Sequence, residues 1–116
     1  MNEKPAFIQG LFTYRGKGLE CPIPFAPPVE YLVPTDKRSQ TIYFRAGNPS
    51  AALIYLVLTA NGAPMRYFPV GAEGAIHVPL AVVEDLAPET RVEVLIAAPK
   101  GPENSVVLDV GFMEIA

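Results

Sequence analysis

Leu53-Ile-Tyr-Leu-Val-Leu-Thr-Ala60-Asn61-Gly62-Ala63-Pro-Met-Arg-Tyr-Phe-Pro-Val70 decides the fold. Two runs of strand length meet at Asn61-Gly62, a dipeptide that readily takes the positive φ required at both central positions of a type I′ turn. The stretch therefore predicts a β-hairpin, with Leu53–Ala60 returning as Ala63–Val70. Its first arm is apolar on both faces, with Ile54, Leu56 and Leu58 on one and Leu53, Tyr55 and Val57 on the other. Such a strand is either central in a sheet covered on both sides or part of a subunit interface.

The same pattern extends in both directions. Thirteen Pro and nine Gly recur at short intervals along 116 residues and leave little room for a helix of ordinary length. Further strands are expected at Glu30–Val33, Gln40–Ala46, Ala75–Pro79, Arg91–Ala97 and Ser105–Ile115. Another, Ala6–Tyr14, would turn at Arg15-Gly-Lys-Gly18 into a short arm, Leu19–Cys21. Alternation sends Val92, Val94 and Ile96 to one face of their strand, and Val106, Leu108, Val110 and Phe112 to one face of theirs. Between Leu80 and Leu86 the spacing of Val82, Val83 and Leu86 allows one short helical turn. The expected fold is all-β: one domain over residues 1–116, an antiparallel β-sandwich, immunoglobulin-like or jelly-roll, of about seven to eight strands.

Cys21-Pro-Ile-Pro-Phe-Ala-Pro-Pro-Val29 holds four Pro in nine residues, which fixes φ and removes backbone donors. It should lie extended, close to polyproline II, as a surface connector or as a semi-rigid arm laid over a neighbouring subunit. Leu86-Ala-Pro88-Glu-Thr90-Arg-Val92-Glu-Val94-Leu-Ile96 resembles the corner before the sixth strand of fibronectin type III sandwiches, Leu-x-Pro-x-Thr-x-Tyr followed by alternating Val. Val92 stands where that family places Tyr, and the family's core Trp is absent. The resemblance implies a two-sheet sandwich of a kind that mostly mediates contacts, and it implies no site.

Half of the residues are hydrophobic and 18% are charged, below the usual ~25%. A domain of this size cannot hide all of that apolar surface, so a partner or a second copy is expected to cover part of it. Residues 1–50 carry six Lys or Arg against four acids, while residues 83–116 carry seven acids against Arg91 and Lys100. The two halves pair within one fold or steer head-to-tail contacts between copies. Neither is basic enough for nucleic acid. The single Cys excludes an internal disulfide, and Met1-Asn-Glu-Lys-Pro5 lacks the basic flank and apolar stretch of a signal peptide. Cytoplasmic synthesis without a signal peptide is the expectation. The longest apolar run, Ala51–Ala60, is well short of the ~20 residues of a membrane-spanning helix, so no membrane partner is expected.

Reactive groups are sparse. His77, between Ile76 and Val78, should point away from the core, and no further His, Cys or carboxylate stands at metal-ligand spacing from it. Cys21 sits beside Glu20, which raises a thiol pKa, and has no histidine placed to act as base. Gly16-Lys17-Gly18 lacks the strand–loop–helix context of a phosphate loop, Asn48-Pro49-Ser50 reads as a turn, and Glu84-Asp85 as a solvated one. No catalytic residue, cofactor or metal is expected, and the reading is of a protein that is not an enzyme. The expected function is a structural or interaction module that forms a homo-oligomer or decorates a larger particle such as a virion. Its interface would be Leu53, Tyr55 and Val57 with Ile23 and Phe25 of the proline stretch. The alternative is a carbohydrate- or small-ligand-binding module using Tyr43, Arg45, Arg66 and Tyr67, side chains that combine stacking faces with hydrogen bonds.

Overall fold

The computed structural model describes residues 3–80 and 84–116, and within them the chain forms nine strands and no helix. They are β1 (Glu3–Tyr14), β2 (Ile23–Leu32), β3 (Arg38–Gly47), β4 (Ile54–Ala60), β5 (Ala63–Val70), β6 (Ala75–Pro79), β7 (Asp85–Leu86), β8 (Arg91–Ala97) and β9 (Asn104–Ile115). The β4–β5 hairpin turns at Asn61 and Gly62 with φ of 50° and 85°, the two positive values that the dipeptide was expected to supply. The helical turn expected around Val82 and Val83 lies outside the described residues.

One sheet runs in the order β1-β9-β3-β6, with the two-residue β7 also bonded to β3, and the other runs β2-β8-β4-β5. All pairs are antiparallel. The first two strands lie in opposite sheets, as do β3 and β4, and the sandwich has the double-sheet order of a jelly roll. In an immunoglobulin constant-type sandwich the first two strands share a sheet. The arm expected at Leu19–Cys21 is accordingly not a strand. The chain there crosses from one sheet to the other, with the Gly18 amide donating to Ala98 O at 2.8 Å.

Prolines mark the sheet borders. Those that fall in strands are Pro5 of β1, Pro24, Pro27 and Pro28 of β2, Pro64 and Pro69 of β5, and Pro79 of β6. These are the four strands that end the two sheets, while the central β3, β4, β8 and β9 contain none. A central proline would remove a ladder hydrogen bond, whereas at a border its missing amide costs nothing. The proline-rich stretch is extended as expected, but it is neither connector nor arm. It forms most of β2, paired to β8 on both sides of a register shift between Pro24 and Val29.

The core fills the space between the sheets as alternation predicts. Val92, Val94 and Ile96 of β8 are buried beside Ile54, Leu56 and Leu58 of β4 on the inner side of one sheet, and Val106, Leu108, Val110 and Phe112 of β9 are buried on the inner side of the other. Two stacked aromatic pairs bridge the sheets: Phe44 on Phe68 at 3.9 Å between ring centroids, and Tyr31 on Phe112 at 4.2 Å. Each fully buried Phe or Leu contributes about 1.5–3 kcal/mol by leaving water. The charge asymmetry is partly met within the fold, since Arg38 pairs with Asp85 at 2.8 Å and Arg45 with Asp109 at 3.5 Å.

Glu114 is a carboxylate only 7% exposed on the inner side of β9. The Tyr31 hydroxyl donates to its Oε2 at 2.7 Å, and Ser39 Oγ lies 3.1 Å from the same hydroxyl. Burial, and then the neighbouring carboxylate, push the Tyr31 pKa up to about 12 from 10.0. A raised folded-state value favours the neutral phenol, so this contribution to stability is complete below pH 10 and is lost as pH rises toward 12. Tyr31→Phe leaves the buried carboxylate without its donor and is expected to cost about 1–3 kcal/mol at neutral pH. Urea unfolding across a pH series should also show the variant losing less stability than wild type between pH 10 and pH 12.

Candidate binding face

The outer face of the first sheet is built from cross-strand rows. The central row is Gln9–Asp109–Arg45–His77, contributed by β1, β9, β3 and β6 in turn. Beside it run Phe7–Gly111–Tyr43–Pro79 on one side and Leu11–Val107–Gly47–Ala75 on the other. Phe7, Leu11 and Val107 are 51%, 64% and 51% exposed, high for large apolar side chains.

Asp109 organises the polar row. Its Oδ1 accepts from Tyr43 OH at 2.8 Å and from Gln9 Nε2 at 3.1 Å, while its Oδ2 lies 3.5 Å from Arg45 Nη1. Burial first, and then the bond to this carboxylate, hold the Tyr43 phenol above its ordinary pKa. His77 stands edge-on to the Tyr43 ring, with centroids 6.1 Å apart at 90°.

Two features of the backbone place that ring. The pairing of β3 with β9 shifts register between Thr41 and Tyr43, so Ile42 is an extra residue that lets Thr41 face inward and Tyr43 outward. Bulges commonly re-aim a side chain in this way. Opposite Tyr43 stands Gly111, where an added Cβ would fall 2.1 Å from Tyr43 Cε2. The ring therefore occupies the space a side chain would need, and it covers the glycine. Gly47 and Ala75 keep the next row low, leaving a shallow groove of about 380 Å³ bordered by Arg45, Asp109 and Val107. An amphipathic ligand would find here an aromatic surface, apolar walls and a carboxylate–guanidinium pair fixed before it arrives.

The four ligand residues expected from sequence fall into two separate pairs, Tyr43 with Arg45 on the outer face of the first sheet and Arg66 with Tyr67 at a cleft beside β5. Arg66 and Tyr67 are neighbours in a strand and so point to opposite sides. Tyr67 lies on the outer face of the other sheet, its ring 6.0 Å from that of Tyr55. Arg66 and Tyr67 both line a mostly apolar cleft of about 400 Å³ between β5 and β6, where Arg66 lies 3.5 Å from Glu84. A smaller pocket of about 230 Å³, with Tyr14, Ser50, Lys100 and Asn104 in its wall, sits at one end of the sandwich.

The expected interface residues also separate. Leu53 is exposed just outside β4, and Tyr55 donates its hydroxyl to Leu19 O at 2.6 Å. Val57 is 1% exposed, although it points outward, because its cross-strand neighbours Tyr67 and Leu95 flank it. Phe25 is 2% exposed and packs against Phe12 and Tyr14, with Ile23 partly buried beside the core. Val57 and Phe25 are thus covered by the chain's own side chains and are not available to a partner.

Sequence reading missed Asp109, Gln9 and Gly111. A polar residue alternating with Leu108 and Val110 was a usable signal for Asp109, but its partners come from strands 66 and 100 positions away. Among the described residues no group of three His, Cys, Asp or Glu is placed to hold a metal ion.

No family model matches the sequence, and no curated protein matches it. The fold is similar to that of the CBM36-1 domain of a multidomain xylanase from the hindgut metagenome of Trinervitermes trinervoides, with a TM-score of 0.61 and 12% identity over 97% of this chain and 98% of that one. It is similar also to a family 35 carbohydrate binding module from Clostridium thermocellum, with a TM-score of 0.55 and 15% identity over 94% and 97% of the two chains. A chain of infectious bursal disease virus, Gt strain, aligns at a TM-score of 0.50 and 12% identity over 97% of this chain, which spans 32% of the viral one. At these identities the likeness shows the fold, an all-β sandwich.

The fit of Tyr43 over Gly111 predicts strong coupling. Gly111→Ala should destabilise the protein by about 1–3 kcal/mol, because the ring must leave its place. In a Tyr43→Ala background the same substitution should cost little. A double-mutant cycle by chemical denaturation checks this, with a coupling energy above about 1 kcal/mol expected.

Proposed function

We propose that the chain is a non-catalytic binding module that takes a carbohydrate on the outer face of its five-stranded sheet. The observation that carries the reading is the Asp109-centred network that holds Tyr43 over Gly111. A sugar ring has one face of C–H groups and a rim of hydroxyls. The first suits the Tyr43 ring, and the second suits Arg45, His77, the Gln9 amide oxygen and the unshared lone pairs of Asp109. Because these groups are already held by one another, binding loses little side-chain entropy. Two of the sandwiches that this fold resembles are named as carbohydrate-binding modules, which makes sugars the ligands to test first.

A second reading is a structural part that decorates or builds a particle such as a virion. It is favoured by the exposed Phe7, Leu11 and Val107 and is supported at fold level by the likeness to the viral chain.

Calorimetric titration against a panel of plant and bacterial oligosaccharides tests the first reading. Binding by wild type is expected, with Tyr43→Ala weakening it about tenfold, or about 1.4 kcal/mol, and Asp109→Ala at least as much. Tyr67→Ala, on the opposite sheet, should leave it unchanged. No binding across the panel, or equal loss in Tyr67→Ala, would reject the face proposed here.

A further inference from the structure

The free edge of β1 is open over a bounded stretch. Among the described strands β1 pairs only with β9. Pro5 interrupts the edge near its start, since it has no amide hydrogen to offer a neighbour. At the other end Thr13 Oγ1 donates to Ala26 O at 3.1 Å, which brings the irregular part of β2 across the edge. Between these blocks Ala6–Phe12 leaves seven residues, about 23 Å of strand, with one side unpaired. The other borders offer less, since no stretch clear of proline exceeds four residues: Val29–Leu32 in β2, Met65–Phe68 in β5 and Ala75–Val78 in β6.

The midpoint of the open stretch is Gln9. An antiparallel copy placed about a two-fold axis at Gln9 sets Ala6 against Phe12, Phe7 against Leu11, and Ile8 against Gly10, each pairing occurring twice. Phe7 and Leu11 both lie on the outer face and are 51% and 64% exposed, so this register covers the two most accessible apolar side chains of β1 with each other. A register displaced from Gln9 either pairs fewer residues or runs one of the blocks into the pairing. We infer that β1 pairs with β1 of a second copy, antiparallel and centred on Gln9, joining two five-stranded sheets into one. The contact is isologous and uses up the one long open edge among the described strands, so it closes at two copies. It goes beyond the ligand reading and does not rest on it, although it would align two polar rows on one continuous face.

Absolute mass by light scattering across a concentration series tests the inference. Wild type is expected to approach twice the monomer mass as concentration rises. Phe7→Lys and Leu11→Lys should each remain monomeric, or need at least tenfold more protein to pair, with unchanged far-ultraviolet circular dichroism. Combining Phe7→Lys with Leu11→Glu should restore the dimer, because the register sets the opposite charges face to face twice. A wild-type monomer at every concentration overturns the inference, as does a dimer that survives both single substitutions. A combined variant that stays monomeric overturns the Gln9-centred register.

Discussion

Every strand inside a sheet must give its amide hydrogens to two neighbours, and proline has none to give. In a chain with thirteen prolines that one constraint governs much of the architecture. Four proline-free strands, β3, β4, β8 and β9, form the centres of the two sheets, and the strands that carry proline are confined to the borders. The core depends on this sorting. Proline-free central ladders hold Ile54, Leu56, Val94, Ile96, Leu108 and Val110 in place across a gap closed by the stacked Phe44–Phe68 and Tyr31–Phe112 pairs.

The same constraint limits how the molecule can meet others. Exposed sheet edges invite further strands, and prolines are one of the ordinary means of refusing them. Three of the four borders leave no proline-free stretch longer than four residues, and the fourth leaves seven. Any association through a sheet edge is thereby limited to one short stretch, a more restricted outcome than the apolar composition alone suggested.

Much of the fold was legible because it is written locally. Asn61-Gly62 specifies a hairpin from two residues, and alternation in Arg91–Ile96 and Val106–Phe112 specifies which side chains face the core. The choice between immunoglobulin-like and jelly-roll order was not legible, since it depends on which sheet each crossover reaches. The proline-rich stretch was misread because its density suggested a segment outside the sheets. Three of its four prolines instead sit on an edge strand that tolerates a register shift, a meaning that Pro64 and Pro69 share. The site divides in the same way. Tyr43 and Arg45, two apart on one strand, share a face, whereas adjacent Arg66 and Tyr67 alternate in direction and meet only at the rim of the cleft beside β5. Asp109, Gln9 and Gly111 reach Tyr43 only through pairing of distant strands, and Gly111 matters through the space it leaves, which no local pattern records.

The two outer faces of the sandwich differ in kind. On the four-stranded sheet, Tyr55 and Tyr67 cover their own neighbours, and the outward Val57 is sealed. On the five-stranded sheet a carboxylate, a guanidinium, an amide and a phenol are fixed together in the open between apolar rows. That second face is the one proposed here to receive a ligand. Mapping backbone amide shifts of isotopically labelled protein by nuclear magnetic resonance, as an oligosaccharide mixture is added, tests this most directly. Shifts concentrated at Gln9, Tyr43, Arg45, His77 and Asp109 are the predicted result. Shifts confined to the end pocket around Ser50 and Lys100, or to the Tyr67 face, would contradict it.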